Sequence, residues 1–389
     1  MGLVRQLAIG VLLITILVFS AFFGRLPALR NTPVGTCYRI IWIHIPNGFG
    51  RVDQLLTGGR ISLWTSKVAH HLWNDRHPLV MIFFILLLSV CEILFLPPAW
   101  KLLSNTRKII GAILVILPYV LLYASAASDP GYLTPLNHSH EMSLYPYDFT
   151  IFDPGNTCHT CRLLKPARSK HCSICKHCIS RMDHHCIFIN NCVGYNNIHW
   201  FLLLLFFTAT LISYATYVGF SLLDAEILAN LSSWTIYGKG FTWSEYFTIW
   251  AWALQEYTRI GIVTLMCFLT GPLIWILFGY HIYLIWAGTT TNESMKWSDL
   301  NDDMADGFAF KRSIHMARQK DPCVESMHTT WPAESQQIVV RTRDGLPPKT
   351  SKQLVGNGEW ERVWRLADVE NLYDLGFWDN LKDVFWNRR

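Results

Sequence analysis

Five long apolar runs constrain this chain more than any other feature. They cover residues 7–24, 79–96, 109–127, 199–223 and 260–287, and none contains a Lys or Arg. A helix crosses a bilayer with about 20 apolar residues, within a range near 17–25. Each run is therefore long enough to span, and a water-soluble fold has nowhere to bury all five. The composition agrees. Of 389 residues, 51% are hydrophobic and 16% charged, against about 25% charged in an average globular protein. Mean hydropathy is +0.23. Intrinsic disorder and an ordinary cytosolic enzyme are excluded. A net charge of +5 is too small to point to nucleic acid, and none is expected as a partner. The chain reads as a polytopic α-helical membrane protein with about five transmembrane helices.

Loop charges orient the spans. Seven Lys/Arg lie in 25–78, six in 128–198 and fourteen from Gly288 onward, against three in 97–108 and two in 224–259. The positive-inside rule places the three rich segments in the cytosol. The first run reads as an uncleaved anchor within 1–30, because Gly24-Arg25-Leu26-Pro27 is a poor signal-peptide cleavage site. A cytosolic loop, 31–78, follows. Residues 79–127 hold spans two and three, 128–198 a cytosolic cysteine-rich segment, and 199–287 spans four and five around a lumenal loop at 224–259. The tail, 288–389, is highly charged and water-facing. Its last stretch, 360–386, is rich in Trp, Leu and Tyr and reads as packing on the membrane surface or the cysteine domain. Asn230-Leu-Ser forms a glycosylation sequon in the lumenal loop. Glu92 and His281 are ionisable residues inside runs, where function is the default suspicion. Glu92 is near enough to the interface to reach water, and His281 is readable as a histidine satisfied within the helix bundle.

Seven of the 11 cysteines fall between Cys158 and Cys192. So dense a cluster inside a long apolar chain reads as metal binding in a reducing compartment. The pattern is Cys158-x2-Cys161, His171-Cys172-x2-Cys175-x2-Cys178, Asp183-His184-His185-Cys186 and Cys192. Cys-x2-Cys steps let two thiolates grip one tetrahedral zinc ion. Two closed sites need eight ligands, and seven Cys with the His at 159, 171, 177, 184 and 185 offer twelve. If six Cys and two His close both sites, one thiol is left over. Cys186 is the best candidate for it, because Asp183 and His184 supply the other parts of an activated nucleophile. Alternatively Cys186 is a redundant ligand or an inert thiol, and the segment a zinc-binding membrane scaffold or RING-like adaptor.

These residues resemble the DHHC protein S-palmitoyltransferases. Lys165-Pro166-x-Arg168, Asp183-His184-His185-Cys186, Asn190-Asn191-Cys192-Val193-Gly194 and Asn197-x3-Phe201 fall in register. So do Asp129-Pro130-Gly131, Thr290-Thr291-Asn292-Glu293 and a tail box from Asn371 through Tyr373 and Gly376 to Asn380. The resemblance implies a cytosolic domain of two interleaved zinc sites and short β-hairpins between spans three and four. One site would use Cys158, Cys161, His171 and Cys178, the other Cys172, Cys175, His185 and Cys192. His159, His177 and His199 are then spare. Asp183, His184 and Cys186 are left as the catalytic set, with palmitoyl-CoA as acyl donor. Arg162, Lys165, Arg168, Lys170 and Arg181 are near enough in sequence to meet its phosphates, although each is individually readable as a structural charge. Thr290, Thr291, Asn371 and Tyr373 would support the active-site face. Two departures stand out. Ile187-Phe188 replaces the usual Pro-Trp, and the run at 7–24 is additional to the family's four spans. The extra run and the tail box resemble the fungal SNARE-palmitoylating branch. That implies an endoplasmic reticulum protein (Golgi is the alternative) acting on juxtamembrane cysteines of membrane proteins.

Overall fold

The computed structural model describes residues 32–314, 318–348 and 356–386. The run at 7–24 lies outside the described residues. Residues 76–389 form one compact unit, and the residues before them another.

In the smaller unit the segment between the first two predicted spans is helical: α1 (Pro33–Arg39), a π-helical turn at Ile40–His44, α2 (Ile45–Thr57) and α3 (Arg60–Asn74). Gly58 and Gly59, with φ of 69° and 84°, make the turn between α2 and α3. Asp53 holds that turn by accepting hydrogen bonds from the Ile61 and Ser62 amides and the Thr57 hydroxyl.

Four helices of the larger unit are long and apolar enough to cross a membrane: α4 (Leu79–Leu102), α5 (Asn105–Ala127), α7 (Ile198–Asn230) and α9 (Thr258–Trp286). They extend the predicted runs by up to a few turns, because polar residues at the ends continue the helix. Ile93 is 69% exposed and Leu273 66%. Water would penalise such girdles of aliphatic surface, while lipid solvates them. Helices α7 and α9 pack most tightly. A Cβ on Gly219 would lie 1.9 Å from Thr264 Oγ1, so glycine permits that approach. At the far end, α8 (Trp243–Glu256) links α7 to α9 and starts with a capping box between Thr242 and Glu245. Glu92 is partly buried and accepts a hydrogen bond from Tyr119 Oη at 2.8 Å, pairing α4 with α5.

Between α5 and α7 the chain forms the short helix α6 (His138–Leu144) and two antiparallel hairpins. Strand β1 (Lys170–Cys172) pairs with β2 (His177–Ile179), and β3 (His184–Cys186) with β4 (Asn191–Val193). The β3–β4 hairpin is bolted to the end of α5. Asn191 Nδ2 donates to the Ser128 carbonyl at 2.9 Å, and a Cβ on Gly194 would lie 2.4 Å from the Pro130 oxygen. After α9 come α10 (Thr291–Ala305) and a three-stranded antiparallel sheet in the order β6 (Gln337–Arg341), β5 (Ala309–Ser313), β7 (Asn357–Arg362). Helix α11 (Phe377–Phe385) closes the described chain, with Leu381 and Phe385 packed against the core shared with α7 and α9. The tail packs on the cysteine-rich segment through a core of Tyr145, Phe152, Tyr195, Trp331, Leu372 and Tyr373.

Candidate active site

The hairpins assemble two four-residue clusters, Cys158/Cys161/His171/Cys178 and Cys172/Cys175/His185/Cys192. Cross-strand pairing explains the sorting. His171 faces Cys178 and His185 faces Cys192 in register, so each hairpin brings one imidazole and one thiol together. His171 Nδ1 lies 3.5, 3.4 and 3.7 Å from the sulfurs of Cys158, Cys161 and Cys178. His185 Nδ1 lies 3.7, 3.4 and 3.5 Å from those of Cys172, Cys175 and Cys192. A tetrahedral zinc ion with bonds of about 2.3 Å to sulfur and about 2.05 Å to nitrogen sets that edge at roughly 3.6 Å. Each cluster therefore fits one zinc ion. His159 is exposed, His177 Nδ1 donates to the Cys175 carbonyl at 2.8 Å, and the His199 ring packs on Trp200 at 4.5 Å.

Alternation along β3 places the remaining residues. Neighbouring side chains on a strand point to opposite faces, so His185 turns to its cluster while His184 and Cys186 share the other face. His184 Nδ1 sits 2.6 Å from Asp183 Oδ2. Asp183 is buried and also accepts from the Thr291 amide and hydroxyl, both at 2.8 Å. Burial opposes its charge, but these hydrogen bonds and the His184 ring hold its carboxyl below the usual range. Burial likewise opposes a charged His184. Hydrogen bonds with Asp183 and Cys186 overcome that and push the ring up to about 10. Burial would raise the Cys186 thiol, yet the His184 hydrogen bond, with backbone N–H groups of Ile189 and Phe188, brings it below its ordinary value. The His184 contact thus favours a charged ring and a more acidic Cys186 thiol.

Thr291 is itself held from behind. Thr290 and Glu293 form a capping box at the start of α10. Arg168 grips Glu293 with two hydrogen bonds of 2.7 and 2.6 Å and donates to the Gly288 carbonyl at 3.0 Å. Its guanidinium lies between the rings of Tyr145 and Tyr373, 5.0 and 4.5 Å from their centroids. Arg181 Nη1 lies 2.6 Å from Asp383 Oδ2 of α11. Arg168 and Arg181 are therefore structural cations, whereas Lys165 and Lys170 line a separate surface cavity of about 370 Å³. Asn371 Nδ2 donates to the Ala287 carbonyl at 2.9 Å, and Tyr373 Oη to that of Pro146 at 2.9 Å. Both tie the tail to the end of α9 and the loop beside it.

Cys186 opens into a cavity of about 340 Å³ walled by Phe84, Leu122, Ile189, Phe201, Leu204, Leu205, Ile274 and Leu277. Phe188 also lines it and meets Phe84 edge to face at 6.2 Å, so the Ile-Phe pair keeps an aromatic contact where Pro-Trp is usual. His281, singled out in the sequence as an ionisable residue inside a run but not joined to the catalytic set, lines this cavity, its ring 5.7 Å from that of His184 and 5.1 Å from that of Phe201. The available signal was an ionisable residue in a span; which face of α9 it occupied was invisible.

The chain matches the DHHC palmitoyltransferase family over residues 151–298. It is 52% identical to Palmitoyltransferase SWF1 of Neurospora crassa, over 99% of this chain and 92% of that protein. It is 43% identical to Palmitoyltransferase swf1 of Emericella nidulans, over 100% and 98%. The corresponding Schizosaccharomyces pombe protein is 33% identical, over 94% and 92%. The chain belongs to the DHHC family, and it is an integral membrane protein S-palmitoyltransferase.

Proposed function

We propose that the enzyme works in two acyl-transfer steps through an acyl-Cys186 intermediate. In the first, the Cys186 thiolate attacks the thioester carbon of palmitoyl-CoA. The carbon–sulfur bond to CoA breaks, and the departing thiolate takes the proton held on His184. In the second, a substrate cysteine gives its proton to His184 and attacks the acyl-Cys186 carbonyl, which releases the Cys186 thiolate. Asp183 orients the His184 ring and supports its charge throughout. Exchanging one thioester for another is nearly balanced in energy, so catalysis rests on position and on an available thiolate. The carrying observation is that the Asp183–His184 hydrogen bond and Cys186 stand together at a cavity lined mainly by apolar side chains.

The two Cys/His clusters are the ligand sets of two structural zinc ions. Zinc, when bound, supplies folding energy to a segment with little core of its own. Of the basic residues, Arg162, Lys165 and Lys170 remain for the CoA phosphates. The positive-rich segments support a cytosolic active site. Substrates on this reading are membrane proteins of SNARE type with cytosolic juxtamembrane cysteines, met at the endoplasmic reticulum.

Hydroxylamine-sensitive palmitate labelling of wild type and Cys186→Ser tests the nucleophile. The variant is expected to keep two zinc ions per chain and to form no acyl-enzyme. Wild-type labelling in Cys186→Ser would remove Cys186 as the nucleophile.

A further inference from the structure

His281 is a buried imidazole in a mostly apolar cavity wall. It is 4% exposed and sits on α9, where Leu277 and Ile274, one and two turns before it, line the same cavity. The helical rise puts Ile274 roughly 10 Å deeper than His281, which places His281 at the Cys186 end. Among the described residues it touches the rings of His184, Phe201 and Tyr280 and makes no hydrogen bond. A nitrogen of His281 nevertheless lies within 4.8 Å of a His184 nitrogen and an Asp183 oxygen. Burying a polar ring without a partner is unfavourable. Apart from His185 and Thr208, whose buried hydroxyl likewise has no partner, the rest of the cavity wall is apolar, so what fills the cavity is the source of a partner that the wall does not supply. In either tautomer a neutral imidazole carries one N–H donor. An acyl chain has one acceptor to offer at this depth: the thioester carbonyl oxygen beside Cys186.

We propose that His281 is a further catalytic residue, whose ring N–H hydrogen-bonds the thioester carbonyl oxygen while negative charge builds on it. When the Cys186 sulfur adds to the carbonyl carbon, the carbonyl π electrons move to that oxygen, and His281 stabilises the oxyanion without giving up its proton. Collapse returns the electrons and expels the CoA thiolate, or, in the second step, the Cys186 thiolate. A donor aimed where charge develops acts mostly on the transition state. The inference rests on the acyl-Cys186 mechanism above and assigns it an oxyanion donor.

The test compares full-length wild type, His281→Phe, His281→Gln and His281→Ala in nanodiscs, each checked for two zinc ions per chain. Single-turnover acyl-enzyme formation is followed with palmitoyl-CoA carrying a ¹³C carbonyl. His281→Phe keeps a ring of similar shape and loses the donor; it is expected to slow acylation about a hundredfold at saturating donor with little change in half-saturation. His281→Gln retains an N–H and should be at least tenfold faster than His281→Phe. The infrared carbonyl stretch of the trapped acyl-enzyme should be lower in wild type than in His281→Phe. Acylation of His281→Phe within threefold of wild type overturns the proposal, as does an unshifted carbonyl band. If His281→Phe loses zinc, His281→Gln is compared with His281→Ala, and equal rates overturn it. Labelling that survives Cys186→Ser breaks the underlying mechanism instead, so the two failures are distinguishable.

Discussion

Asp183 shows how much one residue is asked to do. Its two oxygens receive the His184 ring and both the amide and hydroxyl of Thr291. They therefore fix which nitrogen of His184 faces Cys186, and they anchor the start of α10 to β3. Asp183→Asn preserves shape but removes the charge and presents an amide to the ring, which favours the wrong tautomer. Acyl-enzyme formation is expected to fall on the order of a thousandfold with zinc content intact. A single-turnover rate within tenfold of wild type would remove Asp183 from the catalytic set. Four consecutive letters of sequence contain all three catalytic candidates, and period-two alternation of a strand already separates His185 from His184 and Cys186. That Thr291, more than 100 residues away, completes the carboxylate's hydrogen bonds is a tertiary fact.

The hairpins are the elements that turn a cysteine pattern into two separate sites. Each strand is three residues long, far too short for independent stability. Their persistence depends on the clusters they carry. Chelation of zinc is expected to unfold residues 158–193 while α4, α5, α7 and α9 stay helical, because those helices satisfy their own backbone groups. Hydrogen exchange by mass spectrometry would register this as lost protection confined to the hairpins. Retained protection there after metal removal would mean that packing alone holds them. The spacing of Cys and His identified the ligand-rich segment, but Cys-x2-Cys steps alone leave open which of twelve candidates pair. The register of His171 with Cys178 and of His185 with Cys192 decides it. The end of the tail was legible as an apolar packing segment; the anchorage of α11 to α9 through Asn380 Nδ2 and the Trp286 carbonyl, 3.3 Å apart, was not.

Across the whole molecule, the Arg168–Glu293 pair joins the cysteine-rich segment to α10 and, through Tyr145 and Tyr373, to the tail. Both side chains are 1% exposed. Removing one partner leaves a buried charge unpaired, which costs about 3–5 kcal/mol. Glu293→Gln should therefore destabilise the enzyme by several kcal/mol, and it should loosen Thr291 from Asp183 so that acylation falls as well. Thermal unfolding in nanodiscs checks the first effect; a loss under about 1 kcal/mol would mean that the pair is as dispensable as a surface one. Arg168 also shows the limit of linear reading, since its place beside Lys165 and Lys170 left both a phosphate contact and a structural charge open, and the fold buries it against Glu293. Apolar run length, ligand spacing and motif order are properties of the chain in one dimension, and they determined the membrane class, the zinc-rich segment and the catalytic candidates. Which face of α9 meets the acyl cavity, and hence that His281 stands beside His184, depends on how helices rotate and pack against one another. Only the tertiary structure decided that, because burial and the lack of a partner are relations between distant parts of the chain.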